Sequence, residues 1–171
     1  MTAKKLILVS FVVAFSLVLL SGIALAQTTN YVNAMDTAKM ADELSTFVAA
    51  VEAAGLGDKL NNGQYTIFAP TNEAFANLPE GKLDRLLLPE NKQKLVEILT
   101  YHVIPVRLSV DDFREGKSYK TLNGHMINVL FTNPPILVNK KIHVVSSLAA
   151  SNAIIYLVDK VILPPEGKPA N

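Results

Sequence analysis

The chain of 171 residues contains neither cysteine nor tryptophan, and only 18% of its residues carry a charge. Without cysteine there can be no disulfide, no thiolate nucleophile and no zinc or iron–sulfur site with cysteine ligands. The 16 basic side chains nearly balance the 15 acidic ones. Binding to a phosphate backbone depends on a strong positive field, so we expect no nucleic-acid partner.

Half of the residues are hydrophobic, and an uncharged apolar stretch lies near the N-terminus. Two lysines precede Leu6–Leu20, and Ala24-Leu25-Ala26 places small residues where signal peptidase requires them. This order predicts a signal peptide over residues 1–26, cleaved before Gln27, and a secreted protein that is extracellular or periplasmic. The alternative is an uncleaved anchor, because residues 6–26 are uncharged over a length that can span a bilayer.

Cleavage would leave about 145 residues, enough for one domain with a substantial core. The loss of two lysines would change the formal net charge from +1 to −1. We expect a short linker over residues 27–30, one folded domain over residues 31–165 and a flexible tail over residues 166–171. No stable membrane insertion is expected after signal cleavage.

Apolar residues at helical spacing dominate the first half of the expected domain. Asp42 and Gly55 bracket one amphipathic segment, which predicts a helix with Asp42 as its N-cap and Gly55 as its stop. Thr71 is the expected N-cap of a second, short helix. Asn91 is the expected N-cap of a third helix, over residues 92–100.

Strand signals become dominant toward the C-terminus. The aromatic and β-branched run Tyr65–Phe68 predicts a first strand, and Asn123-Gly124 is the strongest short signal for a tight hairpin turn. A second hairpin is expected around Asn139-Lys140-Lys141. A final strand is expected at Ala153–Val158, with an extension over residues 161–163. Helices first and antiparallel hairpins later indicate the α+β class.

Three segments of the chain together carry a family resemblance. They are Tyr65–Phe75, which includes Phe-Ala-Pro-Thr-Asn; Leu99–Pro105, which includes a Tyr-His pair; and Ala150–Pro165, which includes Val-Asp-Lys-Val. In this order and at this spacing they resemble the signatures of the fasciclin (FAS1) domain family. The resemblance covers about residues 31–165 and is typical of a small, secreted, single-domain member of bacterial type.

The resemblance implies a fold and a set of structural residues. The family's domain is α+β, a seven-stranded β wedge with several helices packed on it, and its members mostly serve in adhesion. Two positions depart from the family, because Tyr156 stands where histidine is common and Ala153 where glycine is common. A role of that histidine in relatives therefore does not transfer to this chain. The motif positions with implied structural roles are Phe68, Pro70, Thr71, Phe75, Asn152, Tyr156 and Asp159.

The three histidines form no local metal or catalytic motif, and we expect neither a metal nor a cofactor. His125 and His143 fall in expected hairpin strands, where a structural or surface role is predicted. His102 lies inside a family motif and has two interpretations. It is either a partly buried ring bonded to a backbone carbonyl or part of a recognition surface shared with Tyr101.

The segment Phe131–Pro135 is a candidate contact loop. It joins two hairpins, carries an apolar ring and contains a diproline that cannot pair in a sheet. The alternative is a stiff connection without a binding role. The candidate partner-binding residues are Tyr101, His102, Phe131, Pro134 and Pro135.

These observations favour a secreted, non-enzymatic protein that mediates adhesion or contacts a protein or glycan at the cell surface or in the extracellular matrix. No serine lies in a Gly-x-Ser-x-Gly elbow, and no catalytic residue is assigned. The alternative function is a carrier of an apolar small molecule, a lipid or a carotenoid, in a cleft between helices and sheet. An enzyme whose serine, histidine and aspartate meet only in the folded protein is the third hypothesis.

Overall fold

The computed structural model describes residues 32–132 and 136–165. Among these residues, no helix is both long enough and apolar enough to cross a bilayer. Some of the sequence predictions concern residues outside the described ranges. They are the signal peptide at residues 1–26, the linker at residues 27–30, the tail at residues 166–171, and the contact residues Pro134 and Pro135.

Six α-helices and three short 3-10 helices lie within the described ranges. The α-helices are α1 (Ala34–Lys39), α2 (Ser45–Ala54), α3 (Gly57–Asn61), α4 (Asn72–Ala76), α5 (Lys82–Leu87) and α6 (Lys92–Tyr101). The 3-10 helices are Asp42–Leu44, Pro89–Asn91 and Val110–Phe113. Three α-helices therefore precede the first strand and three follow it.

Seven strands form one sheet in the described part of the chain. They are β1 (Tyr65–Pro70), β2 (Val103–Ile104), β3 (Ser118–Lys120), β4 (Met126–Phe131), β5 (Ile136–Val138), β6 (Ile142–Ala149) and β7 (Ala153–Val158). Their order across the sheet is β2-β1-β7-β6-β5-β4-β3. β1 and β7 are parallel neighbours, and the other pairs are antiparallel. The predicted seven-stranded α+β fold is confirmed.

The central strands β1 and β7 are buried on both faces, which explains why their sequences are nearly continuous apolar runs. Successive side chains of a strand point to opposite faces, so each strand contributes to two cores. Ile67 and Ile155 pack in the core that the helices cover. Phe68 and Tyr156 pack in the second core, with residues of β4, β5 and the 3-10 helix at Val110–Phe113.

The sheet curls until the turn after β3 meets the opposite end of the sheet. The amide of Leu122 in this turn donates to the carbonyl of Val103 in β2 over 2.8 Å. The hydroxyl of Tyr101 donates to the carbonyl of Met126 in β4 over 3.1 Å. These bonds join the β3–β4 end of the sheet to β2 and to the end of α6.

The ends of α2 and α4 follow the sequence predictions only in part. Thr71 caps α4 as predicted, because its hydroxyl accepts a hydrogen bond from a backbone amide at 3.2 Å. Gly55 ends α2 with a φ of 74°, also as predicted. The prediction that Asp42 caps α2 is wrong, because Asp42 begins a 3-10 helix instead. The cap is Asn72, whose side-chain oxygen accepts from the amide of Thr46 in α2 over 2.9 Å.

Asn91 occupies the predicted N-cap position of α6, but the capping bond expected of its side chain is not made. Its side-chain amide group donates instead to the carbonyl of Arg85 over 2.6 Å. The side chain therefore ties the end of α5 to the start of α6.

The β3–β4 connection is wider than predicted. Lys120 pairs with Met126, so five residues form the turn where two were expected. The Thr121 hydroxyl donates to the carbonyl of His125 over 2.8 Å and stabilises this wider turn. The second hairpin and β7 lie where they were predicted, whereas residues 161–163 form no strand.

Asn152 links the start of β7 to earlier parts of the chain. Its Oδ1 accepts a hydrogen bond from the amide of Ala34, at the start of α1, over 2.8 Å. Its Nδ2 donates to the carbonyls of Leu60 in α3 and of Gly63 before β1, over 2.8 and 2.9 Å. One side chain therefore holds α1, α3 and the entry to β1 against β7.

His102 links the end of α6 to the segment after β7. Its Nδ1 lies 2.8 Å from the carbonyl oxygen of Ile98, and its Nε2 accepts from the amide of Ile162 over 2.9 Å. This pattern requires a neutral ring with the proton on Nδ1. The ring is fully buried, and this burial lowers the pKa of His102 to about 4.

Replacing Asn152 with alanine should lower the free energy of unfolding by about 2–4 kcal/mol, because an amide and two carbonyls lose their partner. Urea denaturation followed by circular dichroism measures this loss. Asn62→Ala is the matched control, since the Asn62 side chain makes one exposed bond, to the carbonyl of Asp58. The control should cost less than about 1 kcal/mol. Equal losses in the two variants would contradict the linking role of Asn152.

The stability of the protein should fall as the pH is lowered from 6.5 toward 4, because the unfolded chain takes up a proton at His102 that the folded chain excludes. The contribution of His102 is complete above the unfolded pKa of 6.5 and is lost by the folded pKa of about 4. It amounts to about 3 kcal/mol. Urea denaturation at a series of pH values measures the slope. His102→Gln keeps a neutral donor and acceptor and should flatten it, so an unchanged slope would refute this explanation.

Candidate functional site

A groove of about 750 Å³ opens where the two parallel strands end. The carboxyl ends of neighbouring parallel strands lie at the same edge of a sheet, so the residues that follow β1 and β7 come together there. These residues are Thr71 and Asp159, and both line the groove. The amide of Thr71 donates to the carbonyl of Val158 over 3.2 Å, which fixes the floor between the two strands.

Asn72 fixes one wall of the groove. Its Nδ2 donates to the carbonyl of Asp42 over 2.8 Å, while its Oδ1 caps α2. Since Thr71 caps α4 at the next position, the 3-10 helix at Asp42–Leu44 and the start of α4 are held together. The wall is therefore fixed by side-chain bonds to the backbone and does not depend on a ligand.

Carboxylates dominate the charge of the groove. Four carboxylates line it against one lysine, which gives the groove a negative field that attracts cationic groups. Within the described residues, no group of three or more histidine, cysteine, aspartate or glutamate side chains is placed to hold a metal ion. The charged lining residues are Asp42, Glu43, Glu73, Asp159 and Lys160.

The middle of β6 forms another wall of the groove. A β-bulge places one extra residue, Val145, between the residues that pair with Val158 and Leu157 of β7. The Val145 side chain is 60% exposed, and the neighbouring Ser146 and Ser147 are exposed too. The apolar side chain of Val145 and the hydroxyl of Ser146 therefore line the groove together with the carboxylates.

Asp159 and His143 are bonded to each other beside the groove. One carboxylate oxygen of Asp159 accepts from the amide of His143 over 2.8 Å, and the other lies 3.0 Å from Nδ1 of the ring. The amide of Asp159 donates to the carbonyl of His143 over 3.1 Å, which extends the β6–β7 ladder by one pair. No serine hydroxyl is bonded to the His143 ring in the described chain, so this pair lacks the nucleophile of a catalytic triad.

Tyr101 and His102 do not lie on the surface. Tyr101 is 2% exposed, and its hydroxyl accepts from the side chain of Asn139 over 3.2 Å. His102 is 0% exposed and bonded on both ring nitrogens. A recognition surface shared by these two rings does not agree with their burial, whereas a structural role for His102 does. His125, which was predicted in a strand, lies in the turn before β4 with its ring edge-on to Tyr101.

Phe131 is the one predicted contact residue that is described and reaches the surface. It is the last residue of β4 and is half-buried. The guanidinium carbon of Arg114 lies 5.6 Å from the centre of its ring, at cation–π distance. Phe131 does not line the groove, and it stays a candidate contact residue separate from that site.

Tyr156 shows how the chain accommodates its departure from the family motif. Its ring stacks on Phe68, with centroids 5.8 Å apart, and contacts the ring of Phe113 edge-on at 5.4 Å. Its hydroxyl donates to the carbonyl of Leu108 over 3.1 Å. Burial raises the pKa of Tyr156 to about 12, so this position carries no charge near neutral pH.

Three of the other motif positions are fixed close to the groove. Pro70 ends β1 and is buried, and Thr71 then caps the helix that follows. Phe75, on the inner side of that helix, packs in the core that the helices cover. Thr71 itself lines the groove, whereas Pro70 and Phe75 do not.

Sequence analysis did not anticipate the roles of Asn72 and Thr66. Thr66 is a buried polar residue in β1 whose hydroxyl donates to the carbonyl of Val106 over 2.7 Å and accepts from the amide of Leu108 over 2.8 Å. A threonine between apolar residues of a strand was the only signal for it. Asn72 gave no local signal, because its partners lie 26 to 30 residues earlier in the chain.

Comparison with known proteins gives the family of the chain. The model of the fasciclin domain matches residues 42–164. Protein sll1483 of Synechocystis is 42% identical over 141 residues, which are 82% of this chain and 78% of that protein. The transforming growth factor-beta-induced protein ig-h3 of Sus scrofa is 38% identical over 79% of this chain, but over only 20% of its own length. The cell surface glycolipoprotein MPB83 of Mycobacterium bovis is 36% identical over 71% of this chain and 56% of its own length.

The solved structures agree with this result. A FAS1 domain pair from the insect cell adhesion molecule Fasciclin I superposes with a TM-score of 0.68 at 17% identity, covering 78% of this chain and 51% of that one. At this identity the match concerns the fold alone. The family is given by the matched residues and by the relatives above 30% identity. The chain belongs to the fasciclin-domain family.

Proposed function

We propose that this protein is an exported, non-enzymatic contact module that mediates adhesion by binding a protein or glycan at the cell surface or in the extracellular matrix. Its membership of the fasciclin family over residues 42–164 is the observation that carries this proposal. One relative is named a cell surface glycolipoprotein, which supports a place outside the cytoplasm. The sequence pattern of residues 1–26 supports export in the same way.

The chemistry of the described residues supports a binding role over catalysis. His102 is sealed in the core, and His143 is bonded to Asp159 without a nucleophile beside it. Every buried side-chain nitrogen or oxygen in the described chain has a hydrogen-bond partner within the protein. Strongly perturbed, unpartnered groups in a cleft are typical of active sites, and none is found among these residues.

The architecture of the groove also suits contact with a macromolecule. Its walls come from capped helices and from the sheet, so the site is held rigid before a partner binds. Loops and edges on a rigid scaffold are common positions for recognition. A single weak contact of this kind gains strength when several copies act on one surface.

The groove does not support the alternative function, in which the protein carries a lipid or a carotenoid. Four carboxylates and a lysine line it, and covering such groups with an apolar ligand costs their hydration. The large apolar side chains pack against one another in the two cores. Support for a carrier function would be a visible absorbance, or the mass of a bound lipid, in protein purified from its own source.

Deleting the coding sequence from the native host should reduce attachment and cell aggregation several-fold, because multivalent contacts are lost. Re-expression of the full chain should restore both. A chain without residues 1–26 is the matched control, since it has the same domain but no export signal and should not restore attachment. Static adhesion and sedimentation assays measure the effect. Unchanged attachment after the deletion would refute the proposed function.

A further inference from the structure

The second half of β6 is an open strand edge. β6 contains eight residues, but only Ile142 and His143 pair with β5 on one side. Ser147, Leu148 and Ala149 pair with β7 on the other side alone. No other strand of the described chain covers this edge.

The main-chain groups of Ser147 and Ala149 point away from β7. The amide of Ala150 donates to the carbonyl of Ala153 over 2.9 Å, which makes these two residues a hydrogen-bonded pair. Bonded and non-bonded pairs alternate along an antiparallel ladder. The register from Ala149 back to Ser147 has no shift, so both residues occupy non-bonded positions and offer an amide and a carbonyl to the open edge.

This edge has little protection against pairing with another chain. Exposed edges of natural sheets are usually guarded by lysine, proline, an inward-pointing charge or a bulge. The stretch 146–149 reads Ser-Ser-Leu-Ala and has neither a charge nor a proline, and the bulge at Val145 lies before it. Such an edge can accept one more strand from an extended peptide.

The groove indicates the chemistry of that peptide. Ser146 lies opposite Leu157, whose side chain is in the core on the helix side of the sheet, and both residues line the groove. A strand added beside β6 would carry alternate side chains on this same side. A lysine or arginine at such a position could reach over Ser146 toward the carboxylates of Glu43 and Glu73.

A second copy of the chain fits less well. The edge it would offer is the same uncharged stretch, which brings no cation to the four carboxylates of the groove. Charge complementarity therefore selects a partner that is extended and basic. Charge thus distinguishes the two occupants, which could otherwise use the same main-chain groups.

We propose that the open edge of β6 binds an extended basic peptide segment of a partner protein by strand addition, with its cationic side chains in the acidic groove. The inference rests on the proposed contact function and names the chemistry of the partner. Main-chain hydrogen bonds at Ser147 and Ala149 would supply affinity, and the carboxylates would select lysine or arginine.

The probe is a fluorescent peptide of about ten residues, the upper length of common strands, with alternating valine and threonine and with lysine at two alternate positions. A matched peptide has glutamate at both lysine positions. Fluorescence anisotropy with the processed chain should show binding of the lysine peptide at low ionic strength, weakened by added salt. The glutamate peptide should bind at least about tenfold more weakly.

Ser147→Pro tests the edge, because proline removes an amide that the β6–β7 ladder does not use and places a ring where the added strand would lie. It should weaken binding of the lysine peptide at least about tenfold. Ser118→Pro is the matched control. By the same alternation, Ser118 occupies a non-bonded position of β3, the strand at the far end of the sheet. Circular dichroism and thermal unfolding confirm that both variants are folded.

The double variant Glu43→Gln with Glu73→Gln tests the groove. It should reduce affinity for the lysine peptide several-fold and flatten the salt dependence, because two carboxylates are neutralised. Asp58→Asn with Glu90→Gln is the matched control, since it removes the same charge from two exposed positions outside the groove.

Several results would overturn the inference. They are equal binding of the two peptides, no binding of either, or full binding by the Ser147→Pro protein. A dimer in analytical ultracentrifugation that Ser147→Pro abolishes would replace the basic peptide with a second copy. Restoration of attachment in the deleted host by the Ser147→Pro chain would also overturn the role of this edge and leave the proposed function standing. The proposed function itself depends on the deletion result alone.

Discussion

β1 and β7 are the first and last strands along the chain, and their parallel ladder of six residue pairs holds the two parts of the domain together. Because both strands are buried on each face, their side chains alternate between the core under the helices and the core under the curled hairpins. The same ladder brings Thr71 and Asp159 together at its carboxyl end. The groove lies where these two strands end, because they run in the same direction. The parallel pairing of β1 and β7 therefore underlies both the fold and the candidate site.

Polar side chains that are buried or half-buried add long-range hydrogen bonds to this strand pairing. Asn152, Asn72, Thr66 and His102 each join segments that are far apart in the sequence. Each bond replaces one that the same group would make with water, so its net contribution is modest when formed and its loss is costly. These side chains therefore add little net stability when they are bonded. They disfavour other arrangements of the segments, because their polar groups would then lack partners.

The surface near the groove combines an open strand edge with a cluster of carboxylates. An open strand edge offers main-chain groups to any extended chain, and such pairing has little sequence preference. A cluster of carboxylates attracts any cation but gives it no direction. Because Ser146 lines the groove and leads into the open edge, an extended chain paired with β6 would place alternate side chains on the side of the carboxylates. This combination suits contact with a partner and needs no chemistry at the site.

The sequence by itself determined the parts of the protein that local forces decide. Helical periodicity located α2 and α6, turn chemistry located the β5–β6 hairpin, and the Thr71 cap lies three residues from its amide. The order of helices and hairpins indicated the α+β class, and the family motifs added the seven-stranded wedge. Tertiary structure alone decided that Asn72 caps α2, that Tyr101 and His102 are buried, and that β6 keeps an open edge. Each of these depends on contacts between residues tens of positions apart, and neither periodicity nor spacing along the chain encodes such contacts.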